Sequence, residues 1–136
     1  MPKRNAGMRA VDSNVIVRFL VADDPAQARK AQRLFGREPL FIPRTVILET
    51  EWVLRAVYGM KAEQVIPALR AVAGLPEVTV KDAMLVARAM DWAEAGMDFA
   101  DALHLVAAGA CSAFLTFDRR LTRVARSGAE TPVAVP

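Results

Sequence analysis

The chain has 136 residues, of which 54% are hydrophobic, and its 18 basic and 15 acidic side chains give a net charge of +3. This length predicts one domain over residues 8–136, preceded by a flexible basic tail at residues 1–7. The single cysteine and single histidine exclude an internal disulfide and a Cys/His zinc site, and no apolar run is long enough for a transmembrane helix.

The first half of the chain predicts helices alternating with a short strand. The helices are expected over residues 13–21, 25–35, 45–58 and 61–73, and the strand over residues 40–42. Pro25 suits the first turn of a helix, Gly59 suits a helix end, and Pro67 predicts a break or kink. Asp12 interrupts the apolar run that a signal peptide would need, so we expect a cytoplasmic protein.

The second half continues the alternation. Strands are expected over residues 78–80, 114–117 and 133–135, and helices over residues 82–95, 98–110 and 119–126. This order predicts an α/β fold with three layers, α/β/α, around a central, mostly parallel sheet of four to five short strands. Ligands of such folds bind at the carboxyl ends of the strands, where Asp12 and Asp118 are expected to lie.

Four acidic residues stand where surface acids are not expected. Asp12 and Asp118 each follow a short apolar run, whereas Glu49 and Asp101 lie within apolar helical patterns. Burying four carboxylates together requires a cation, because a buried charge without a partner is costly. Ligands that are all oxygen favour Mg²⁺, with Mn²⁺ as the alternative. The sequence therefore predicts a catalytic metal site built from these four acids.

Each acid also has a simpler interpretation. Asp12, Asp98 and Asp118 could be helix N-caps, and Asp101 lies in a first helical turn, where an acid is favoured. Glu51 has Arg55 one turn further on, which is typical of a solvated surface pair. Glu49 could be an acid on the flank of its helix with its carboxylate in water, although the stripe of Val46, Val53 and Val57 favours a position on the apolar side.

Other polar or aromatic residues have open roles. His104 is interpreted as a packing residue or a neighbour of the site, Cys111 as a small buried side chain, and Trp52 and Trp92 as core or interface residues rather than base-stacking ones. A basic stripe either holds phosphates or is simply solvated; it consists of Arg119, Arg123 and Arg126. The net positive charge is compatible with a nucleic-acid substrate.

Several classes of enzyme are disfavoured because their motifs are absent from the sequence. The sequence lacks a phosphate-binding loop, a dinucleotide-binding glycine motif and a serine nucleophile elbow. A phosphatase-like hydrolase would need a second Asp where Asn14 stands, and a receiver-like domain would need a lysine after Lys81. A non-enzymatic alternative remains, namely an interaction module with a structural Mg²⁺ site. The high apolar content also predicts a surface for a partner or for self-association.

Four segments together resemble PIN-domain ribonucleases, particularly VapC-type toxins of type II toxin–antitoxin systems. They are residues 12–18 with Asp12, 47–55 with Glu49, 98–104 with Asp98 and Asp101, and 116–119 with Asp118. The departures are small: Ser13 stands where the family more often has Thr, and Leu121 where an aromatic residue is common. Neither departure removes a ligand.

The resemblance implies a metal-dependent endoribonuclease with RNA as its substrate. It also implies a homodimer and a small antitoxin protein that blocks the site. Asp12, Glu49, Asp101 and Asp118 would be the catalytic metal ligands, and Asp98 an accessory one. We therefore expect Mg²⁺-dependent hydrolysis of RNA by an activated water, without a side-chain nucleophile.

Overall fold

A computed structural model describes residues 7–126 and 128–136 of the chain. The predicted basic tail lies outside the described residues, apart from Gly7. The chain divides into two compact units, Met1–Ala83 and Met84–Pro136, and each is described below by itself.

The first unit contains three strands that form a parallel sheet in the order β1-β2-β3. Its elements are β1 (Arg9–Ala10), α1 (Ser13–Leu20), α2 (Pro25–Gln32), β2 (Leu40–Ile42), α3 (Arg44–Ala56), α4 (Ala62–Ala73) and β3 (Val78–Val80). Leu40 of β2 lies opposite Arg9 of β1 and opposite Val78 of β3. Parallel strands need crossover connections, and the helices between them supply these.

Apolar side chains fix these helices. α3 buries Ile47 and Leu54 completely, and α4 buries Val65 and Leu69 completely. α4 continues without a break through Pro67, so the predicted break was wrong. Proline removes one backbone hydrogen bond from the helix, but the buried apolar face on both sides of it keeps the helix in place.

The second unit contains three helices and a pair of short parallel strands. Its elements are α5 (Ala83–Glu94), which starts at the boundary, α6 (Phe99–Ala107), β4 (Phe114–Leu115), α7 (Arg119–Ala125) and β5 (Val133–Ala134). Phe114 lies opposite Val133 in the parallel pair. Met90 of α5, Phe99 and Leu105 of α6, and Leu121 of α7 are buried.

The predicted α/β fold class is confirmed. The described residues contain seven helices and five short strands, and the strands pair in parallel as a set of three and a set of two. The element bounds agree with the predicted ones to within a few residues, although β4 ends at Leu115 rather than at Phe117. No helix in the described part of the chain combines the length and apolar character needed to cross a membrane.

Candidate metal centre

In the first unit, Asp12 is connected to Glu49 by two hydrogen bonds through Ser13. Asp12 caps the N-terminus of α1, where its Oδ1 accepts a hydrogen bond of 2.7 Å from the backbone N–H of Ser13. The hydroxyl of Ser13 then donates to Oε1 of Glu49 over 2.6 Å. Asp12 and Glu49, far apart in the sequence, are thus linked through one buried serine.

The parallel sheet explains this proximity. The backbone N–H of Val11 donates to the carbonyl of Phe41 over 3.1 Å, so β1 and β2 end side by side. Asp12 follows β1, and α3 with Glu49 begins directly after β2. The carboxyl ends of neighbouring parallel strands therefore bring both acids to one edge of this sheet, as expected for a ligand site.

In the second unit, Asp98 caps α6 and Asp101 follows in the first turn. Oδ2 of Asp98 accepts a hydrogen bond of 3.2 Å from the backbone N–H of Asp101. Partial burial raises the pKa of the Asp101 carboxyl, and the charges of Asp98 and Asp118 raise it further, whereas His104 acts in the opposite direction. Three carboxylates of this unit therefore lie close enough to affect one another's charge.

Asp118 caps α7. Its Oδ1 accepts hydrogen bonds from the backbone N–H groups of Arg120, at 2.9 Å, and Leu121, at 3.1 Å. Its own backbone N–H donates to the Thr116 hydroxyl over 3.0 Å. The capping role proposed for Asp12, Asp98 and Asp118 is thus confirmed. On Asp12 and Asp118, capping leaves a second carboxylate oxygen for another ligand.

The expectation that the four acids are buried was wrong. Asp12, Glu49 and Asp118 are exposed, and Asp101 is only half-buried. Apolar runs before Asp12 and Asp118 end at the strands, so the acids themselves emerge at the surface. Exposure removes the argument that a cation is required for folding, and it leaves these carboxylates accessible to a metal and a substrate.

The predicted pairing of Glu51 with Arg55 is confirmed, but the predicted burial was wrong for both glutamates, because Glu49 is exposed and Glu51 is buried. Glu51 is 3% exposed and pairs with the guanidinium of Arg55, whose Nη2 lies 3.0 Å from Oε1. The buried side of α3 consists of Ile47, Thr50, Glu51 and Leu54. Helical periodicity was correct, but the buried side is the one next to the valine stripe, about 100° away around the axis.

The structure decides between some of the open interpretations. Trp52 is 56% exposed, which excludes the core and leaves the interface as a prediction. His104 is exposed rather than packed, and it lies close enough to affect the pKa of Asp101, as expected for a neighbour of the site. The prediction that Cys111 is buried was wrong, because this side chain is exposed. Ser13 was missed as a site residue. Its position directly after Asp12 was the available signal, but its hydrogen bond to Glu49 depends on the fold.

The chemistry of these donors suits a divalent cation. Among the described residues, no three Asp, Glu, His or Cys side chains are grouped so that they could hold a metal ion as they stand. Within the same residues, Asp12, Glu49, Asp101 and Asp118 form no ion pair with a basic side chain. All the donors are oxygens, as Mg²⁺ and Mn²⁺ prefer, and a cation would relieve the repulsion at Asp101.

Comparison with known proteins adds one finding. A sequence model of the family described as PIN domain matches residues 9–127 of the chain, which include all five acids and elements of both units. No curated protein matches the chain.

Proposed function

The chain belongs to the PIN domain family, and from this premise we propose that it is a Mg²⁺-dependent endoribonuclease acting as the toxin of a toxin–antitoxin pair. PIN domains are generally metal-dependent nucleases, which places the chain among the hydrolases of nucleic acids. The choice of RNA, of Mg²⁺ and of the toxin role goes beyond the family.

The proposed metal ligands are Asp12, Glu49, Asp101 and Asp118, with Asp98 as an accessory ligand. When bound by these residues, Mg²⁺, or Mn²⁺ in its place, would lower the pKa of a water and neutralise charge on the scissile phosphate. Ser13 holds Oε1 of Glu49 and so orients that carboxylate. Asp98 fixes the first turn of α6 through the backbone N–H of Asp101. No side-chain nucleophile is needed.

The observation that carries the proposal is the crowding of Asp101. Its carboxylate is half-buried near Asp98 and Asp118, and the pKa of Asp101 is raised as a result. Holding like charges together disfavours the ionised form, and a bound cation reverses this preference. Among the described residues, Asp101 has no basic partner. This absence of a compensating positive charge supports a metal-binding role.

Partner proteins form part of the proposal. Trp52 on α3 is 56% exposed. Large exposed apolar side chains support an interface, and we assign this one to a homodimer, with a small antitoxin protein as the inhibitor. The toxin would act on RNA in the cytoplasm.

The ends of the RNA products test the reaction type. Attack of an activated water on the phosphorus, with the 3′-oxygen as the leaving group, gives a 5′-phosphate and a 3′-hydroxyl. A 2′-deoxy substitution at the cleaved position does not prevent this reaction. Purified protein with Mg²⁺ should give these ends. Cyclic 2′,3′-phosphate ends, or cleavage stopped by the 2′-deoxy substitution, would contradict the proposal. A protein that binds RNA and Mg²⁺ without cutting would instead be the non-catalytic interaction module.

The toxin role has a separate test. Induced expression of the wild-type chain should arrest bacterial growth, while Asp101→Asn expressed at the same level should not. Growth arrest by both proteins, or by neither despite cleavage in vitro, would contradict the toxin role and leave the nuclease activity in place.

A further inference from the structure

Phe117 is the most exposed aromatic side chain in the described part of the chain. It is 79% exposed and lies between the end of β4 and Asp118. The backbone N–H of Asp118 donates to the Thr116 hydroxyl over 3.0 Å, and the N–H of Thr116 donates to the carbonyl of Ala134 over 3.0 Å. Phe117 is thus presented to solvent from a turn whose two flanks are fixed by hydrogen bonds.

The helix that follows Phe117 presents a basic stripe. Leu121 and Ala125 of α7 are buried. Arg119, Arg123 and Arg126 lie at spacings of four and three residues, which places them together on the opposite, exposed side. The stripe extends about 10 Å along the helix axis at about 1.5 Å per residue.

These arginines are not paired with carboxylates in the described part of the chain, a property they share with Arg29, Arg33, Arg37 and Arg120. Five arginines elsewhere in the described residues form ion pairs with carboxylates; they are Arg9, Arg18, Arg44, Arg55 and Arg88. The three arginines of the stripe have no acidic partner within the described part of the chain. Their positive charge is therefore available to an external anion.

We propose that the segment 117–126 is a binding surface for single-stranded RNA, with Phe117 stacking on an unpaired base and Arg119, Arg123 and Arg126 holding backbone phosphates. An exposed aromatic ring beside a basic stripe is the combination that single-stranded nucleic acids require. The inference rests on the proposed function for its substrate, RNA. It adds the residues of this chain that hold an unpaired part of that substrate.

The preference for single-stranded RNA is expected from Phe117 rather than from the arginines. Arginines bind the phosphates of single and double strands alike, but an aromatic side chain reaches the face of a base only when the base is unpaired and unstacked. The same segment begins next to Asp118, a proposed metal ligand, so a strand held there would enter beside the cleavage chemistry. A protein partner would cover Phe117 but would have to supply three acidic groups for the arginines.

Binding can be measured without cleavage by fluorescence anisotropy in EDTA. The probes are a short labelled RNA without self-complementarity and the same RNA annealed to its complement. Phe117→Ala should weaken single-strand affinity about tenfold, the loss expected for one stacked base, and should leave duplex affinity unchanged. Phe117→Trp should retain binding. Leu115→Ala is the matched control, because Leu115 is 59% exposed and lies two residues away but cannot stack.

The arginines are tested by the salt dependence of binding. Replacing Arg119 and Arg123 by Gln should reduce the slope of log affinity against log salt by about 1.4, since each phosphate that an arginine neutralises on a single strand adds about 0.7 to the slope. The control replaces Arg29 and Arg33 by Gln, since both are exposed and the change in net charge is equal. The control should keep the wild-type slope.

The outcomes separate this inference from the proposed function. If the wild type cleaves RNA while Phe117→Ala and the Arg119/Arg123 double variant bind like their controls, the surface is wrongly assigned and the nuclease stands. If the wild type binds single strands through these residues but never cleaves RNA, the binding surface is supported and the proposed nuclease activity is contradicted. Three results would overturn the inference. Phe117→Ala could lose as much affinity for the duplex as for the single strand, or the wild type could fail to bind RNA. Phe117→Ala could also change the oligomeric state without any loss of RNA affinity.

Discussion

The hydroxyl of Ser13 donates a hydrogen bond of 2.6 Å to Oε1 of Glu49, joining the start of α1 to the second turn of α3. Ser13 is 9% exposed, so its hydroxyl is held in place, while the carboxylate that accepts from it is exposed. A fixed donor reduces the number of positions that an exposed glutamate can adopt. Ser13 is therefore a positioning residue for Glu49, one residue after Asp12.

Removing this donor should weaken metal-dependent activity without unfolding the protein. Ser13→Ala should lower Mg²⁺ affinity or cleavage rate about tenfold, the lower end of the effect seen when a group that orients a metal ligand is removed. Ser13→Thr keeps the hydroxyl and should remain close to wild type. The measurement is the RNA cleavage rate of both variants and of the wild type over a range of Mg²⁺ concentrations. Equal rates for Ser13→Ala and wild type at every Mg²⁺ concentration would mean that the hydrogen bond has no role in the site.

Asp101 should decrease the stability of the metal-free protein at neutral pH. Partial burial and the neighbouring charges of Asp98 and Asp118 raise its pKa in the folded state above the ordinary value of 3.8. The folded state therefore loses stability as pH rises through the raised pKa, and this loss is absent below 3.8, where folded and unfolded chains both bind the proton. Asp101→Asn, which cannot ionise, should be more stable than wild type at pH 7 in EDTA.

Urea unfolding at two pH values checks this prediction. The midpoint for Asp101→Asn should exceed that of wild type at pH 7 in EDTA, and the difference should vanish below the ordinary pKa of 3.8. Added Mg²⁺ should stabilise the wild type alone. A variant that is less stable than wild type at pH 7 without metal would show that the carboxylate is not disfavoured in the folded state.

Asp118 should show separable structural and chemical roles. Asparagine caps helices about as well as aspartate, whereas alanine costs about 1 kcal/mol of stability. Asp118→Asn should therefore unfold like wild type and lose RNA cleavage, while Asp118→Ala should lose both stability and cleavage. Thermal unfolding and cleavage assays on the two variants distinguish the roles. If Asp118→Asn cleaved RNA at the wild-type rate, Asp118 would act only as a helix cap.

The buried pair of Glu51 and Arg55 should be structural. Arg55→Ala would leave the carboxylate of Glu51, which is 3% exposed, without its guanidinium partner, and should cost about 3 kcal/mol of stability. The double variant Glu51→Gln/Arg55→Ala should recover part of this loss because no buried charge remains. Denaturant unfolding measures both. A loss as large in the double variant as in Arg55→Ala would show that burial of the charge is not the cause.

Local features of the fold followed directly from the sequence. Caps, apolar runs and helix periodicity depend on neighbours in the chain, so element order and most bounds were predicted well. Asp98 at the N-terminus of α6 and Asp118 at the N-terminus of α7 are examples of such locally determined caps. Gly59 and Gly96 end their helices with backbone φ of 68° and 108°, the left-handed region that glycine tolerates.

Features that depend on tertiary packing could not be predicted in the same way. The side of α3 that faces the core is decided by α1 and α4, which pack against it, and Glu51 rather than Glu49 lies on that side. Pro67 is tolerated because α4 is buried along its length. The hydrogen bond between Ser13 and Glu49 and the exposure of Trp52 likewise arise from elements far apart in sequence, where spacing carries no information.

The most direct test of the central claim is cleavage of RNA by the purified chain with Mg²⁺, with EDTA, and by Asp101→Asn prepared identically. We predict cleavage that requires Mg²⁺ and is abolished in the variant, which also excludes a contaminating nuclease. Cleavage by Asp101→Asn at the wild-type rate, or no cleavage of varied RNAs by a folded wild type that binds Mg²⁺, would contradict the assignment of this chain as a metal-dependent ribonuclease.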